Sequence, residues 1–341
     1  MERRLHVRLV VAVAALGVIG TANGAHVAAG SAGRHALTSV TYSTSFGTFG
    51  RDAYAYVALE KGFFRDAGFD VKIVPGAGSV AVAQAVAAGT VDYGPADVAA
   101  VAVAKSQSGV PVKFTALIQQ QTMSGFLALK GSGITKPSDL AGKRIADTPG
   151  STVVVLLPMF AKRAGFDAKS ITFVPSTPPA LPQLLASKQV DAVGQFVVGI
   201  PAFNAAVGGA GVVSIPYAKV VPGLVGLGLL ASEKKIAEHP KDVKKFTSAL
   251  LKGEKWALDN PGRAGAILNK HVPLQDPVIA AKELRIMKKY AVTRDVARRG
   301  MGLVDRSRLA STISIVNSFF KPKSPVKMGD VYAPSFAPTQ K

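Results

Sequence analysis

Two short segments of small residues carry the clearest signal for ligand chemistry in this chain. Residues 76–79 read Gly-Ala-Gly-Ser and residues 150–152 read Gly-Ser-Thr, and each segment precedes a predicted helix. Helix N-termini expose unpaired N–H groups and a partial positive charge, so they hold an anion or the polar edge of a ring. The alternative is that both segments are ordinary helix caps. The candidate ligand contacts here are Gly78, Ser79, Gly150, Ser151 and Thr152.

The loop after the first predicted strand adds aromatic and charged side chains: Phe49, Arg51, Asp52 and Tyr54. An arginine beside a helix start can bind a carboxylate, sulfonate or phosphate with two parallel hydrogen bonds. An aromatic ring can stack on a flat ligand. The alternative is a surface ion pair between Arg51 and Asp52, with the two aromatic residues in the core.

Six more candidates follow the ends of other predicted strands or lie where the chain passes between two predicted lobes. An aspartate after the third strand either caps the next helix or accepts a hydrogen bond from a ligand N–H. Amide side chains at a crossing between lobes can serve either lobe. These candidates are Asp97, Gln120, Gln121, Gln195, Phe196 and Tyr217.

Several catalytic classes find no support in the residues. The chain has no cysteine, which excludes a cysteine nucleophile and a disulfide framework. Its five histidines lie in the leader region or in late helices without the spacing of metal ligands. No G-x-S-x-G or phosphate-binding-loop pattern is present, and no nucleophile and base form a coherent pair. We therefore expect no enzyme activity, no cofactor and no metal site.

The candidate residues are positioned by a pattern that occurs twice, about a hundred residues apart. The tetrapeptide Ala-Gly-Phe-Asp stands at residues 67–70 and again at residues 164–167. In each copy a helix precedes the tetrapeptide, and a strand ending in Val-Pro, a helix and a Val-Asp pair follow it. A repeated helix–strand–helix–strand unit predicts two similar α/β lobes. The segments 76–79 and 150–152 are expected at corresponding positions of these lobes.

The organisation that follows has five parts. We expect a signal peptide and flexible lead-in over residues 1–30, a first lobe over 38–122 and a second lobe over 123–228. The first crossing lies near residues 119–122, and the Gly-interrupted strand 224–231 returns the chain. Residues 229–320 are expected to be helices packed on the first lobe. Residues 321–341 contain four prolines and predict an extended tail.

The N-terminus has the order of a secretory leader. Arg3, Arg4 and Arg8 precede an apolar run over residues 9–20, and small residues follow it. The run is shorter than the roughly 18 residues that span a bilayer. Without a cysteine the exported chain carries no lipid anchor, so we expect a periplasmic or secreted, unanchored protein. The net charge of +20 comes from dispersed lysines and arginines without interleaved aromatics, which argues against nucleic-acid binding.

As a set, these motifs resemble a known family. Residues 56–64, Tyr-Val-Ala-Leu-Glu-Lys-Gly-Phe-Phe, together with residues 67–71, resemble the opening of the NMT1/THI5-like domain. This domain occurs in the nitrate, sulfonate, taurine and thiamine-precursor binding proteins of ABC importers. The resemblance continues through Gly78 and through residues 88–92, 136–143, 150–151 and 191–192, and covers about residues 40–232. Only the set is specific, because each motif alone is weak.

The resemblance implies a type II periplasmic-binding-protein fold, with two α/β lobes joined by two crossover strands and a ligand cleft between them. It also implies capture of a small solute by lobe closure and its delivery to a membrane permease, and we expect the protein to be a monomer. Relatives on this fold that are enzymes depend on cysteine, so an envelope enzyme is the alternative of a different class. The solute stays open between a small organic anion and a flat heterocycle of the thiamine-pyrimidine or flavin-precursor kind.

Overall fold

The computed structural model of this protein describes residues 36–337. The predicted signal peptide and its lead-in, and residues 338–341 of the predicted tail, lie outside the described residues. Within residues 36–337 no helix combines the length and the apolar character that crossing a bilayer requires.

Twelve strands are present in the described part of the chain. They are β1 (Thr38–Ser43), β2 (Phe46–Gly47), β3 (Phe69–Val74), β4 (Gly76–Ala77), β5 (Tyr93–Asp97), β6 (Val112–Leu117), β7 (Ser124–Leu129), β8 (Arg144–Asp147), β9 (Thr172–Pro175), β10 (Ala192–Phe196), β11 (Val212–Pro216) and β12 (Leu227–Ser232).

Fifteen α-helices accompany them over the same residues. They are α1 (Ala53–Glu60), α2 (Phe63–Asp66), α3 (Ser79–Ala88), α4 (Val98–Ser108), α5 (Thr152–Ala164), α6 (Leu181–Ala186), α7 (Ile200–Ala206), α8 (Tyr217–Val220), α9 (Glu233–Glu238), α10 (Pro240–Asp259), α11 (Pro261–His271), α12 (Pro277–Ala291), α13 (Arg294–Arg299), α14 (Arg306–Phe320) and α15 (Met328–Val331). Short 3₁₀ turns cover Gly50–Asp52, Pro137–Leu140, Ala168–Ser170, Pro178–Ala180 and Val197–Gly199.

The ten longer strands form two sheets with the same design. The first sheet has the order β3-β1-β5-β12-β6 and the second has the order β9-β8-β10-β7-β11. In each sheet the first three strands are parallel, and the last two are antiparallel to their neighbours. The predicted duplication is therefore confirmed as two α/β lobes of equal topology.

The two Val-Asp pairs have the same structural task in each lobe. Asp92 donates its backbone N–H to the Thr41 carbonyl at 2.8 Å, and its carboxylate accepts from the Thr41 N–H at 2.7 Å. Asp191 makes the same two bonds with the backbone of Arg144, at 2.9 and 2.8 Å. Each aspartate thus ties the start of the third parallel strand to the first. The repeated glycines Gly68 and Gly165 both have positive φ, which explains why glycine recurs there.

The chain crosses between the lobes twice. It leaves the first sheet after β6 and enters the second at β7, then returns from β11 to β12, which lies between β5 and β6. The first crossing leads into β7 and the second leads into β12. Each of these strands lies fourth in its sheet, between the last parallel strand and the edge strand, and is antiparallel to both. This arrangement places the carboxyl ends of the parallel strands of both sheets at the crossings, where ligands of open α/β sheets bind.

The late helices pack mainly on the first lobe. Helix α10 lies against α1 and α2, α11 packs on α1 and α12, and α14 lies against α4. Helix α12 also contacts α7 and the 3₁₀ turn Val197–Gly199 of the second lobe. The segment after α14 lies along the edge strand β6, where Ala333 donates its N–H to the Phe114 carbonyl at 2.9 Å.

An aromatic cluster joins α10 to the first sheet. The Phe246 ring stacks on Tyr93 with 4.0 Å between ring centroids and on Phe64 with 5.0 Å. Tyr42 and Phe69 complete the contacts of this ring. Phe246 is fully buried, so α10 is fixed to the lobe by a large apolar anchor.

Candidate functional site

A small cavity lies between the lobes at the carboxyl ends of the strands. Its empty volume is about 230 Å³, part of which is open to solvent, and the centre of a water molecule can occupy only about 10 Å³ of it. That is space for about one water, so a larger ligand requires the lobes or the side chains to move apart. The cavity is lined by Phe46, Gly78 and Ser79 from the first lobe and by Asp147, Ser151, Thr152, Val153, Gly194, Gln195 and Phe196 from the second.

The two small-residue segments meet directly across this cavity. The Ser79 and Thr152 hydroxyls are 3.0 Å apart, and the Val80 N–H donates to the Gly150 carbonyl at 3.2 Å. A Cβ on Gly78 would lie 3.2 Å from the Gly150 oxygen, so a side chain there would press on the other lobe. The N-termini of α3 and α5 therefore face each other when the lobes are in contact.

The expected equivalence of these segments within the repeat is wrong. Residues 76–79 follow β3, the second strand of the first repeat, whereas residues 150–152 follow β8, the first strand of the second repeat. The two lobes approach face to face, and that approach brings segments from different repeat positions together. Ser151 accepts from the Val154 N–H and caps α5, so the capping interpretation holds for this residue as well.

Asp147 is the main polar group that the sequence reasoning missed. It ends β8, is 1% exposed, and accepts hydrogen bonds from the Ser151 hydroxyl and the Thr148 N–H at 2.6 Å each. Burial raises the pKa of this carboxyl to about 7, and the two hydrogen bonds act in the opposite direction. The carboxyl lies against the Gly194 backbone, where a Cβ would overlap its Oδ2.

Asp97 is a second buried acid on the first-lobe side. Its Oδ1 accepts from the Ala99 and Ala100 N–H groups at 2.9 and 3.2 Å, so it caps α4. Burial raises its pKa to about 7. The Ser79 hydroxyl accepts from the Asp97 N–H at 3.0 Å, which links this cap to the cavity wall.

Arg51 lies beside the cavity between two aromatic rings. Its Cζ is 4.9 Å from the centroid of Phe49 and 4.6 Å from that of Phe196, which belongs to the other lobe. One Nη donates to the Phe46 carbonyl at 2.7 Å, while Nε and the other Nη have no hydrogen-bond partner among the described residues. A guanidinium between rings is stabilised by cation–π attraction, and here that attraction connects the lobes.

Two acids accompany Arg51. The Asp52 carboxylate is 3.8 Å from the Arg51 Nε, an ion-pair distance too long for a hydrogen bond. Glu283 on α12 accepts from the Arg51 backbone N–H at 3.2 Å. Burial raises the pKa of Asp52 to about 6 and that of Glu283 to about 8, and the nearby Arg51 charge opposes both shifts. The predicted surface pair is thus a buried cluster.

Gln195 and Phe196 line the cavity from the second lobe. The Gln195 Oε1 accepts from the Phe196 N–H at 2.8 Å, and its Nε2 has no partner among the described residues although the residue is 1% exposed. The Phe196 ring meets Phe46 edge to face at 6.0 Å. A buried amide donor beside two ring edges is suited to an acceptor on a flat ligand.

Four predicted contacts lie elsewhere. The Tyr54 hydroxyl bonds to that of Tyr42 at 2.9 Å inside the first lobe, and the Tyr217 hydroxyl donates to the Val153 carbonyl within the second-lobe core. The Gln120 amide donates to the Leu303 carbonyl at 2.8 Å, so it connects the first crossing to the segment between α13 and α14. Gln121 is exposed. These four side chains either have hydrogen-bond partners elsewhere or are exposed to solvent, and none of them lines the cavity.

The lining residues missed by the sequence reasoning are Phe46, Asp147, Val153 and Gly194. Asp147 ends the first strand of the second repeat, so aligning the two copies through β1 and β8 would have pointed to this strand end. Among the described residues no cluster of three His, Cys, Asp or Glu side chains has the arrangement of a metal site.

Comparison with known proteins agrees with this architecture. A Brucella abortus protein described as a binding protein is 23% identical in an alignment over 297 residues that covers 81% of this chain and 84% of that protein. The alkanesulfonate-binding protein SsuA from Xanthomonas axonopodis, solved with MOPS, has a TM-score of 0.67 at 16% identity, covering 87% of this chain and 99% of that chain. The desulfurization enzyme DszB has a TM-score of 0.56 at 14% identity, covering 88% and 97%.

These structural likenesses show a shared fold, in agreement with the predicted two-lobed periplasmic-binding-protein architecture. The NMT1/THI5 like family model matches residues 52–264, well over half of the chain. That match runs from the start of α1 into α11, so it includes every residue that lines the cavity except Phe46. The chain therefore belongs to the NMT1/THI5-like family.

Proposed function

We propose that this protein is the solute-binding subunit of an ABC importer and that its solute binds between the two lobes. The observation that carries this proposal is the cavity at the facing strand ends, lined by residues of both lobes. A solute that contacts both lobes stabilises their closed arrangement, which a permease can recognise. We also propose that the protein is exported, that it is a monomer without a lipid anchor, and that it does not bind nucleic acid.

Within this function, a flat heterocycle carrying N–H donors is the solute that the cavity favours. The lining contains the Asp147 carboxyl, the Gln195 amide and the rings of Phe46 and Phe196, and no lysine or arginine. When the buried carboxyl is ionised it repels a small oxyanion, and in either protonation state it can accept hydrogen bonds from ring N–H or amino groups. The two rings supply faces or edges for stacking.

A small organic anion is the second candidate, and Arg51 is the observation that favours it. Its Nε and one Nη have no hydrogen-bond partner among the described residues. An anion that displaced the Phe196 ring could accept from these donors. Such a site would require the cation–π contact between the lobes to open.

Thermal-shift measurements distinguish the two candidates. An amino-substituted pyrimidine and riboflavin represent heterocycles, and taurine, MOPS and nitrate represent anions. At a hundredfold excess over Kd a ligand stabilises the folded state by about 2.7 kcal/mol, which raises Tm by roughly 4 °C in a protein of this size. We expect the shift from a heterocycle.

Matched variants locate the binding. Gln195→Leu should remove most of the heterocycle shift, because it deletes the buried amide, whereas Gln121→Leu at an exposed glutamine should preserve it. An anion shift that Arg51→Ala abolishes would instead establish the second candidate. Absence of any shift, or equal shifts in all variants, would contradict a solute site between the lobes.

An enzyme on the same fold is the alternative class, and DszB shows that this fold also serves enzymes. Incubation of the bound solute with the protein, followed by mass spectrometry, separates the two. Recovery of the solute unchanged after many binding lifetimes is expected. Accumulation of a product in proportion to protein would overturn the assignment as a binding protein.

A further inference from the structure

A groove lined by lysines lies on the first lobe, between α2 and α10. It has about 1000 Å³ of space that is open to solvent. We call it the lysine groove, and its lining consists of Phe63, Asp66, Ala67, Lys241, Lys244, Lys245, Ser248, Ala249 and Lys252.

The lysines of the groove form one stripe along α10. Their spacing of three, four and seven residues places them on a single helix face. From Lys241 to Lys252 the stripe is about 16 Å long, at about 1.5 Å per residue. All four are exposed, and within residues 36–337 none of them is within ion-pair distance of a carboxylate. Asp66 is the single acid on the groove wall.

The position of this stripe in its helix increases the unbalanced positive charge. Lys241 lies in the first turn of α10, which begins at Pro240 and also holds Asp242, and Lys244 and Lys245 lie in the second turn. The N-terminal end of a helix already carries partial positive charge, so cations there are unfavourable. A bound anionic partner would relieve both the helix end and the lysine–lysine repulsion.

The floor of the groove is apolar. Phe63 and Ala67 are half-buried, and Ala249 is 3% exposed. A simple phosphate chain would leave this floor uncovered, and a flat bilayer would not reach into a concave surface. A peptide with acidic side chains at its edges and an apolar side chain between them would cover both the charge and the floor.

The groove lies at the opposite end of the first lobe from the cavity. Residues 63–67 precede the start of β3, and the Gly68 carbonyl accepts from the Thr38 N–H at the start of β1. The cavity residues instead follow the ends of the parallel strands. A partner in the groove would therefore leave the cavity free.

From these observations we infer that the lysine groove is a docking site for an acidic peptide segment of a partner protein. Recognition combines carboxylates along the α10 stripe with an apolar side chain over Phe63 and Ala249. This surface is separate from solute binding, so its test does not depend on the proposed function.

The test is fluorescence anisotropy with a short fluorescein-labelled peptide of alternating glutamate and leucine, at low salt. Replacing the four groove lysines by glutamine should weaken binding by at least about tenfold, since each exposed pair contributes roughly twofold. A matched control replaces four exposed lysines elsewhere by glutamine, so that its net charge equals that of the groove variant. It carries Lys72→Gln, Lys219→Gln, Lys282→Gln and Lys289→Gln.

The control protein should bind the peptide within twofold of the wild type, and circular dichroism should give the same far-ultraviolet spectrum for all three proteins, which shows that each is folded. Equal weakening by both sets of substitutions would overturn the inference, because it would mean attraction by net charge alone. Equally tight binding of polyglutamate or polyphosphate would overturn the peptide assignment. So would groove-dependent binding to phosphatidylglycerol vesicles without binding of the peptide.

Discussion

Replacing Asp147 by asparagine should change how the stability of this protein depends on pH. The carboxyl is 1% exposed, and burial raises its pKa to about 7 from an ordinary value of 3.8. Asparagine has nearly the same shape and cannot ionise. The Ser151 hydroxyl, which donates to the Asp147 carboxyl oxygen, can rotate and accept from the new amide.

The sign and size follow from proton linkage. Between about pH 4 and pH 7 the folded state binds a proton at Asp147 that the unfolded state has lost, so stability falls as pH rises. The stabilisation by this proton is fully present below the pKa of the unfolded state, near 3.8. It is lost as the pH rises through the folded-state pKa of about 7. From pH 4.5 to pH 7.5 this single group should lower the free energy of unfolding by about 3 kcal/mol.

Urea denaturation of wild type and Asp147→Asn at pH 4.5 and pH 7.5 measures the effect. Asp97 and Glu283 titrate in both proteins, so their contributions cancel in the difference. Relative to wild type, the variant should gain about 3 kcal/mol between the two pH values. Parallel pH profiles, agreeing within about 0.5 kcal/mol, would refute the reasoning that Asp147 is held protonated by burial.

Two further predictions concern the packing that positions the site. Phe246→Ala should lower the free energy of unfolding by about 3–5 kcal/mol, because it removes the ring at the centre of the aromatic cluster. Phe173→Ala, at an exposed position, should lower it far less. Equal losses of stability in urea denaturation would contradict the role of Phe246 in fixing α10 to the lobe. Gly194→Ala should abolish the ligand-induced thermal shift, since a Cβ would overlap the Asp147 carboxyl. The control Gly262→Ala, within α11 and without atoms near a new Cβ, should keep the shift and stabilise the helix by about 0.5–1 kcal/mol; retention of the full shift in Gly194→Ala would exclude this wall as the binding surface.

The duplicated topology could be predicted because its signals are local. The turn glycines Gly68 and Gly165 and the apolar strands act over a few residues. The Val-Asp pairs recur at the same place in each copy, and the structure uses them identically in both lobes, although their partners Thr41 and Arg144 lie far away in the chain. The roles of single side chains were harder to predict. Asp97 and Ser151 were recognised as capping candidates because a cap acts over three residues.

The buried cluster at Arg51 could not be predicted in this way. Its acid Glu283 lies 232 positions later in the chain, on a helix outside the repeat. Its stacking partner Phe196 comes from the opposite lobe. Such contacts depend on how α12 and the second lobe pack against the first, which no short-range pattern encodes.

The sequence by itself determined the two α/β lobes, their crossings and the family, because these depend on repeated local patterns of turns and apolar strands. Only the tertiary structure decided that Asp147 faces the cavity and that Tyr54, Gln120 and Tyr217 do not. Burial and hydrogen-bond partners come from the approach of distant segments. The same residue type therefore becomes a core group or a cavity wall according to what packs beside it.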